Sequence, residues 1–262
     1  FVKGSNALLI AMYLQNIGMF ILPAWIAATL FWGNAGKSLY LNKAPRIIEL
    51  LGIIALFIVA TPALNRIVEW NEALPEALYN IEQWMRQQEN AATKITEQIL
   101  QVNSFSHFLA VIFGIGILTG IGEEMIFRGV LQRIVQDKNH RAHVAVWICA
   151  FLFSAIHLQF YGFIPRLLLG AFFGYLLVWS KNLWLPIFAH LFNNSTVACI
   201  SYFTNDKSPD NLIETVGTSG SPTSWLAGAS LIGTVILLYV LYKKVFVSKS
   251  KEFFPMEDKI TP

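Results

Sequence analysis

Seven stretches of about twenty mainly apolar residues recur along the chain, each of a length that crosses a bilayer as one helix. They run from Asn6 to Phe31, Ile47 to Leu64, Phe105 to Phe127, Val144 to Phe160, Pro165 to Trp179, Leu185 to Phe203 and Trp225 to Phe246. Inside hydrocarbon every backbone N–H and C=O needs a partner within the protein, which leaves helices or closed barrels as spanning structures. Continuous apolar runs without strict alternation select the helix. The pattern predicts an all-α, polytopic membrane helical bundle with about seven transmembrane helices. Composition agrees: 55% of residues are hydrophobic and only 13% charged. The mean hydropathy of +0.52 lies far from that of a soluble domain.

Within that frame the fourth and fifth stretches are short and joined only by Tyr161-Gly162-Phe163, which predicts a broken or closely coupled pair. Between the second and third lies Asn65–Asn103, with six glutamates, Gln-rich stretches and scattered Leu, Ile and Trp. It predicts an amphipathic helical segment outside the hydrocarbon. Three regions follow: 1–103 as two spans plus that segment, 104–203 as a helical core, and 204–262 as a loop, a last span and a basic tail.

Charge placement sets the expected orientation. One set of alternating loops carries twelve basic residues, among them Lys37, Lys43, Arg133, Lys181 and Lys243; the opposite set carries five, Lys3, Arg66, Arg86, Lys94 and Lys207. Arg128 and Arg166 fall at or within span ends and are left out of this count. By the positive-inside rule the C-terminus is expected in the cytoplasm and the acidic segment outside, in an inner membrane of bacterial type. The chain begins at Phe1 rather than Met, so an upstream piece is expected. Its first apolar stretch is too long for a signal peptide. No basic run with interleaved aromatics points to nucleic acid. Cys149 and Cys199 both fall within predicted spans and indicate neither a disulfide framework nor a CxxC site.

Ionisable groups in such segments carry the functional signal, because each costs roughly 2.5–3.5 kcal/mol to insert at bilayer depth. Glu123 and Glu124 lie inside Gly120-Ile121-Gly122-Glu123-Glu124-Met125-Ile126-Phe127-Arg128-Gly129. Consecutive residues point about 100° apart on a helix, whereas Glu124 and Arg128, four apart, share a face and can pair. That leaves Glu123 for chemistry. The bland alternative puts both glutamates at a solvated interface, since Glu123 stands roughly 27 Å along a helix counted from Phe105. His157 ends the fourth stretch, where a lone histidine is more often interfacial. His190 and Asn194 share a helix face, a spacing that also serves simply to bind helices together by hydrogen bonds.

Taken together, Glu123-Glu124-x-x-x-Arg128, then Phe153-x-x-x-His157, then His190-x-x-x-Asn194 resemble the CPBP family of intramembrane proteases. That family is related to type II CAAX prenyl endopeptidases and includes bacteriocin-processing, immunity and abortive-infection proteins. The resemblance spans about Ile117 to Thr196. It implies a membrane-embedded endopeptidase cutting a membrane-associated or lipidated peptide without a serine or cysteine nucleophile. Glu123 is then the expected general base, with His157 holding and polarising the same water. His190 and Asn194 are the expected oxyanion donors. Glu124 and Arg128 are expected to hold the helix and tune Glu123.

A divalent metal such as zinc stays open, with Glu123, His157 and His190 as candidate ligands; no His-Glu-x-x-His is present, and catalysis by Glu123 without metal is favoured. Expected partners are membrane lipids and a peptide or membrane-protein substrate, with no nucleic acid. A catalytically silent binding or immunity protein and a proton-coupled transporter remain alternative readings. The spans pose one geometric problem. Glu123 would lie near the cytoplasmic end of its helix and His157 roughly 20 Å deep from Val144. The two meet only if the third span continues past Gly129 or the fourth breaks near Gly162.

Overall fold

The computed structural model describes residues 2–73, 79–102, 104–139, 141–204 and 215–246. The described residues form helices and connecting turns without strands. We label the helices α1 (Asn6–Trp32), α2 (Ala35–Ser38), α3 (Ile47–Ala73), α4 (Tyr79–Ile99), α5 (Phe105–Gln136), α6 (Ala142–Ala155), α7 (Phe163–Ser180), α8 (Trp184–Thr204) and α9 (Leu226–Leu241). Five helical stretches are long and apolar enough to cross a membrane, those of α1, α3, α5, α7 and α9. This differs from the expected seven for two physical reasons. Helix α6 is only 14 residues, or about 21 Å, short of a hydrocarbon core of about 30 Å. Helix α8 has the length, but His190, Asn193 and Asn194 lower its apolarity.

The outward faces suit lipid. Leu14, Leu30 and Phe31 of α1 and Ile232, Val235 and Ile236 of α9 are exposed. Inside, α6 lies along α7, α9 along α3, and α8 against α5 and α7. Small residues permit the closest approaches. A side chain at Gly120 of α5 would stand 3.3 Å from the Ile187 carbonyl oxygen and the Leu191 amide nitrogen of α8. Only hydrogen there lets the two backbones meet. Within α3, Pro62 disturbs the helical ladder, and Ser230 of α9 takes up the slack. Its hydroxyl accepts from the Ala63 amide at 3.2 Å and donates to the Val59 carbonyl at 2.5 Å. That neighbouring-helix rescue is the usual condition for a proline in a membrane span.

Helix α5 settles the geometric problem raised by the sequence. It runs on through Gly129 to Gln136, so Glu123 stands near the middle of its helix. Two π-helical stretches, Ile112–Leu118 and Met125–Leu131, flank an α-helical segment Thr119–Glu124 that carries both glutamates. Widened turns of this kind re-aim side chains inside an otherwise regular helix and often mark functional sites. Helix α6 ends at Ala155, and His157 sits in the turn before the short 3-10 turn Phe160–Gly162. The pair α6 and α7 is therefore closely coupled, as the Tyr161-Gly162-Phe163 link predicts.

The acidic segment divides. Its first part completes α3, and its second is α4, whose Met85 and Ile99 are buried against the bundle. The basic tail beyond residue 246 and the loop carrying Lys207 lie outside the described residues.

Candidate active site

A buried salt bridge forms the floor of the site. Glu124 is 0% exposed and Arg128 1%. Arg128 Nη1 donates to Glu124 Oε1 at 2.9 Å, and Arg128 Nη2 donates to the Gly170 carbonyl of α7 at 2.9 Å. The guanidinium also lies 4.4 Å from the centroid of the Phe153 ring, a cation–π arrangement that suits a desolvated arginine. The i, i+4 spacing predicted this pair; its attachment to α7 was not visible in the sequence.

His190 is tied to the same carboxylate. Its Nδ1 stands 2.8 Å from Glu124 Oε1. A carboxylate that already accepts from Arg128 can only accept again, so Nδ1 carries the proton. Nε2 is the ring nitrogen left for the cavity. That nitrogen faces Glu123 Oε2 at 3.8 Å, and Glu123 Oε2 is buried without a hydrogen-bond partner. The separation is too long for a hydrogen bond and too short for a water between the two atoms, so a water reaches both only from the cavity side. Phe173 stacks on the His190 ring at 5.3 Å and holds it in place.

His157 is anchored in the complementary way. Its Nδ1 donates to the Phe153 carbonyl at 2.7 Å, which leaves Nε2 as the free nitrogen. The neighbouring Leu158 has a left-handed backbone with φ of 53°. A branched residue held there signals a turn fixed by its surroundings. Phe153, the aromatic residue four before His157, touches His157, His190 and Arg128 at once.

Glu123, His157, His190 and Asn194 all line one cavity of about 430 Å³. Glu124 and Arg128 stand behind its wall. Asn194 is anchored at both ends of its amide. Its amide nitrogen donates to the Ile115 carbonyl at 3.1 Å and its oxygen accepts from Asn193 at 3.2 Å. The side chain thus clamps α8 to a π-helical stretch of α5. His190 turns Nε2 toward Glu123 while Glu124 holds its Nδ1.

Arg166, which the sequence reading set aside as a span end, lines the same cavity. Its guanidinium donates to the Gln159 carbonyl at 3.2 Å and the Gln159 side-chain oxygen at 2.9 Å, and it lies within electrostatic reach of Glu123. The signal that flags Glu123, a charge within an apolar stretch, applied to Arg166 too. Gln159 in turn bonds Glu89 of α4 at 3.3 Å, so the acidic helix reaches the rim. Among the described residues no group of three or more His, Cys, Asp and Glu side chains is placed to hold a metal ion.

Residues 105–196 match the family model of type II CAAX prenyl endopeptidase Rce1-like proteins. That segment is Rce1-like. The match covers α5 through the polar face of α8, the stretch that builds the cavity floor and its catalytic candidates. A curated relative, the uncharacterized protein YpbD of Bacillus subtilis (strain 168), is 29% identical over 109 residues. That alignment takes in 40% of this chain, and the chain spans about half the length of the relative, 51%. No solved structure matches the chain at a significant level. The Rce1-like family is one of membrane proteases, and its likeness covers the Glu123-Glu124, His157 and His190 motifs together.

Proposed function

We propose that the chain is an intramembrane endopeptidase in which Glu123 activates a water molecule to hydrolyse a peptide bond of a membrane-associated or lipidated substrate. The observation that carries this reading is the unpartnered Glu123 Oε2, facing His190 Nε2 across 3.8 Å in the cavity that also holds His157. A water on the cavity side of this pair lies within reach of both atoms. Glu123 takes a proton from that water as its oxygen attacks the scissile carbonyl, and returns it to the leaving amine. His157, with Nδ1 fixed on Phe153, presents Nε2 to the same cavity and helps orient the water. Glu124 holds the His190 ring by Nδ1, and Arg128 holds the Glu124 carboxylate in place.

Negative charge then develops on the carbonyl oxygen. The Asn194 amide keeps its second N–H beside the cavity, and Arg166, whose guanidinium spends two of its five N–H groups on Gln159, is a further donor to that charge. The Rce1-like match supports lipid-modified C-terminal peptides as a first substrate class to try.

The test uses the purified full chain in detergent or liposomes, with farnesylated and unmodified peptides and product detection by mass spectrometry. Glu123→Gln is expected to lower turnover by about 10²–10⁴, the span that a general base supplies, with the fold intact. Full activity in that variant would overturn the mechanism. Activity is expected to survive zinc chelators; loss on chelation with recovery on added zinc would replace Glu123 as the sole activator.

A further inference from the structure

On the far side of Arg128 from the catalytic cavity lies a second, smaller one of about 140 Å³. Arg133 and Lys181 contribute cationic groups to its wall, Gln132, Gln136 and Tyr40 polar ones, and no carboxylate lines it. Arg133 donates one N–H to the Ser38 carbonyl at 2.7 Å and stacks 4.3 Å over the Trp32 ring, which fixes the guanidinium without neutralising it. Lys181 has no salt bridge among the described residues. Arg128 belongs to this wall too, and its buried Nε–H has no hydrogen-bond partner. A fixed guanidinium, a lysine and an unsatisfied donor line one cavity, beside the equally unpartnered Gln132 Oε1, and none of its described lining residues is a carboxylate.

The backbone points to the same place. Among the described residues, three that are not glycine adopt the left-handed region: Leu158 beside His157, and Tyr40 and Lys181 in this cavity, with φ of 56° and 51°. Lys181 in that conformation caps the C-terminus of α7, its amide donating to the Leu177 carbonyl at 2.9 Å, which fixes where its side chain starts. The Leu183 amide donates to the Tyr40 carbonyl at 3.1 Å, which locks the two turns together. Burial, and the neighbouring Arg133 guanidinium, hold the Lys181 ammonium below the usual lysine range. A solvated lysine obeying only the positive-inside rule would reach outward to water instead. Trp32, Trp184 and Tyr40 stand at this end of the bundle, the aromatic signature of headgroup depth.

We infer that the cavity bounded by Arg133, Lys181, Tyr40 and Gln132 is an anion site for a phosphate group. Phosphate has the tetrahedral oxygens to take the lysine ammonium and the guanidinium together, and the volume admits one such group. The group comes either from an anionic phospholipid headgroup or from free phosphate in solution, and the site stands apart from the Glu123 cavity.

The test is binding and needs no substrate. The detergent-purified full chain is titrated with inorganic phosphate against chloride at equal ionic strength. Separately it is reconstituted in bilayers of phosphatidylglycerol or of an uncharged glycolipid, and thermal midpoint and lipid retained in native mass spectrometry are read. Stabilisation by phosphatidylglycerol alone assigns the site to a lipid headgroup, and stabilisation by inorganic phosphate assigns it to a free anion. Lys181→Glu is expected to weaken either by about tenfold or more, as loss of a charge-assisted hydrogen bond implies. Lys181→Arg is expected to keep it, and Glu123→Gln to leave it unchanged. No stabilisation by either ligand, or equal stabilisation of Lys181→Glu, would overturn the inference.

Discussion

At the scale of single residues, adjacent glutamates do opposite work because of what they touch. Glu124 Oε1 accepts from both Arg128 and His190. Removing that carboxylate would strand a buried guanidinium, so Glu124→Ala is expected to destabilise the fold by about 3–5 kcal/mol, read as denaturant or thermal unfolding in detergent. Glu123 Oε2 has no partner to lose, so Glu123→Gln is expected to unfold like the parent chain while failing to cleave. Arg166→Gln is expected to lower kcat with the unfolding midpoint unchanged, and Arg166→Lys to restore part of it. Equal kcat in Arg166→Gln would return the oxyanion role to another donor. These pairs were partly legible in the sequence. Spacing alone joined Glu124 to Arg128, since i, i+4 is local geometry. The His190 contact to Glu124 crosses 66 positions and no local pattern reports it. Asn194 shows the same limit: the spacing placed it on the His190 face, but its partner, Ile115, belongs to another helix.

Between helices, what decides the site is how closely α5 and α8 approach and what closes the rim. Gly120 lets the Ile187 and Leu191 backbone come within reach, three residues from Glu123 and beside His190. Gly120→Val is expected to push α8 away and to reduce cleavage far more than stability, compared by activity and unfolding on the same preparation. At the rim, Glu89 accepts from Gln159 at 3.3 Å and from the Tyr161 amide at 3.4 Å, while Trp84 packs on Phe160. Glu89→Ala is expected to raise hydrogen–deuterium exchange over 79–99 and 159–162, and unchanged exchange would deny α4 that hold. Amphipathic patterning correctly read α4 as a helix with one wet face. It could not say that the dry face closes a cavity, because pattern carries no address. The π-helical stretches of α5 also leave no periodic trace, and they shift every later side chain around the axis.

Across the whole molecule, long apolar runs made the bundle legible and their count less so. Length excluded α6 and polarity α8 from the set that crosses by composition alone. Both exceptions carry or precede catalytic candidates, as expected where function replaces apolar residues with polar ones. The orientation is our proposal from loop charge. Reporter fusions at the C-terminus are expected to be cytoplasmic, and a reporter within 74–78 to be on the opposite side. Thr96 and Leu100, at the end of α4 and just beyond it, line the same cavity as Glu123, so in that orientation its mouth opens away from the cytoplasm.

Under the proposed hydrolysis a substrate has to bring its scissile carbonyl to Glu123 in the cavity lined by His157 and His190. Inside a wound helix that carbonyl is already held by the amide four residues on. A membrane peptide that frays at a glycine, a proline or a terminus is therefore expected to be cleaved ahead of one that stays wound, and equal cleavage of helix-stabilised and helix-broken versions of one peptide would deny that gate.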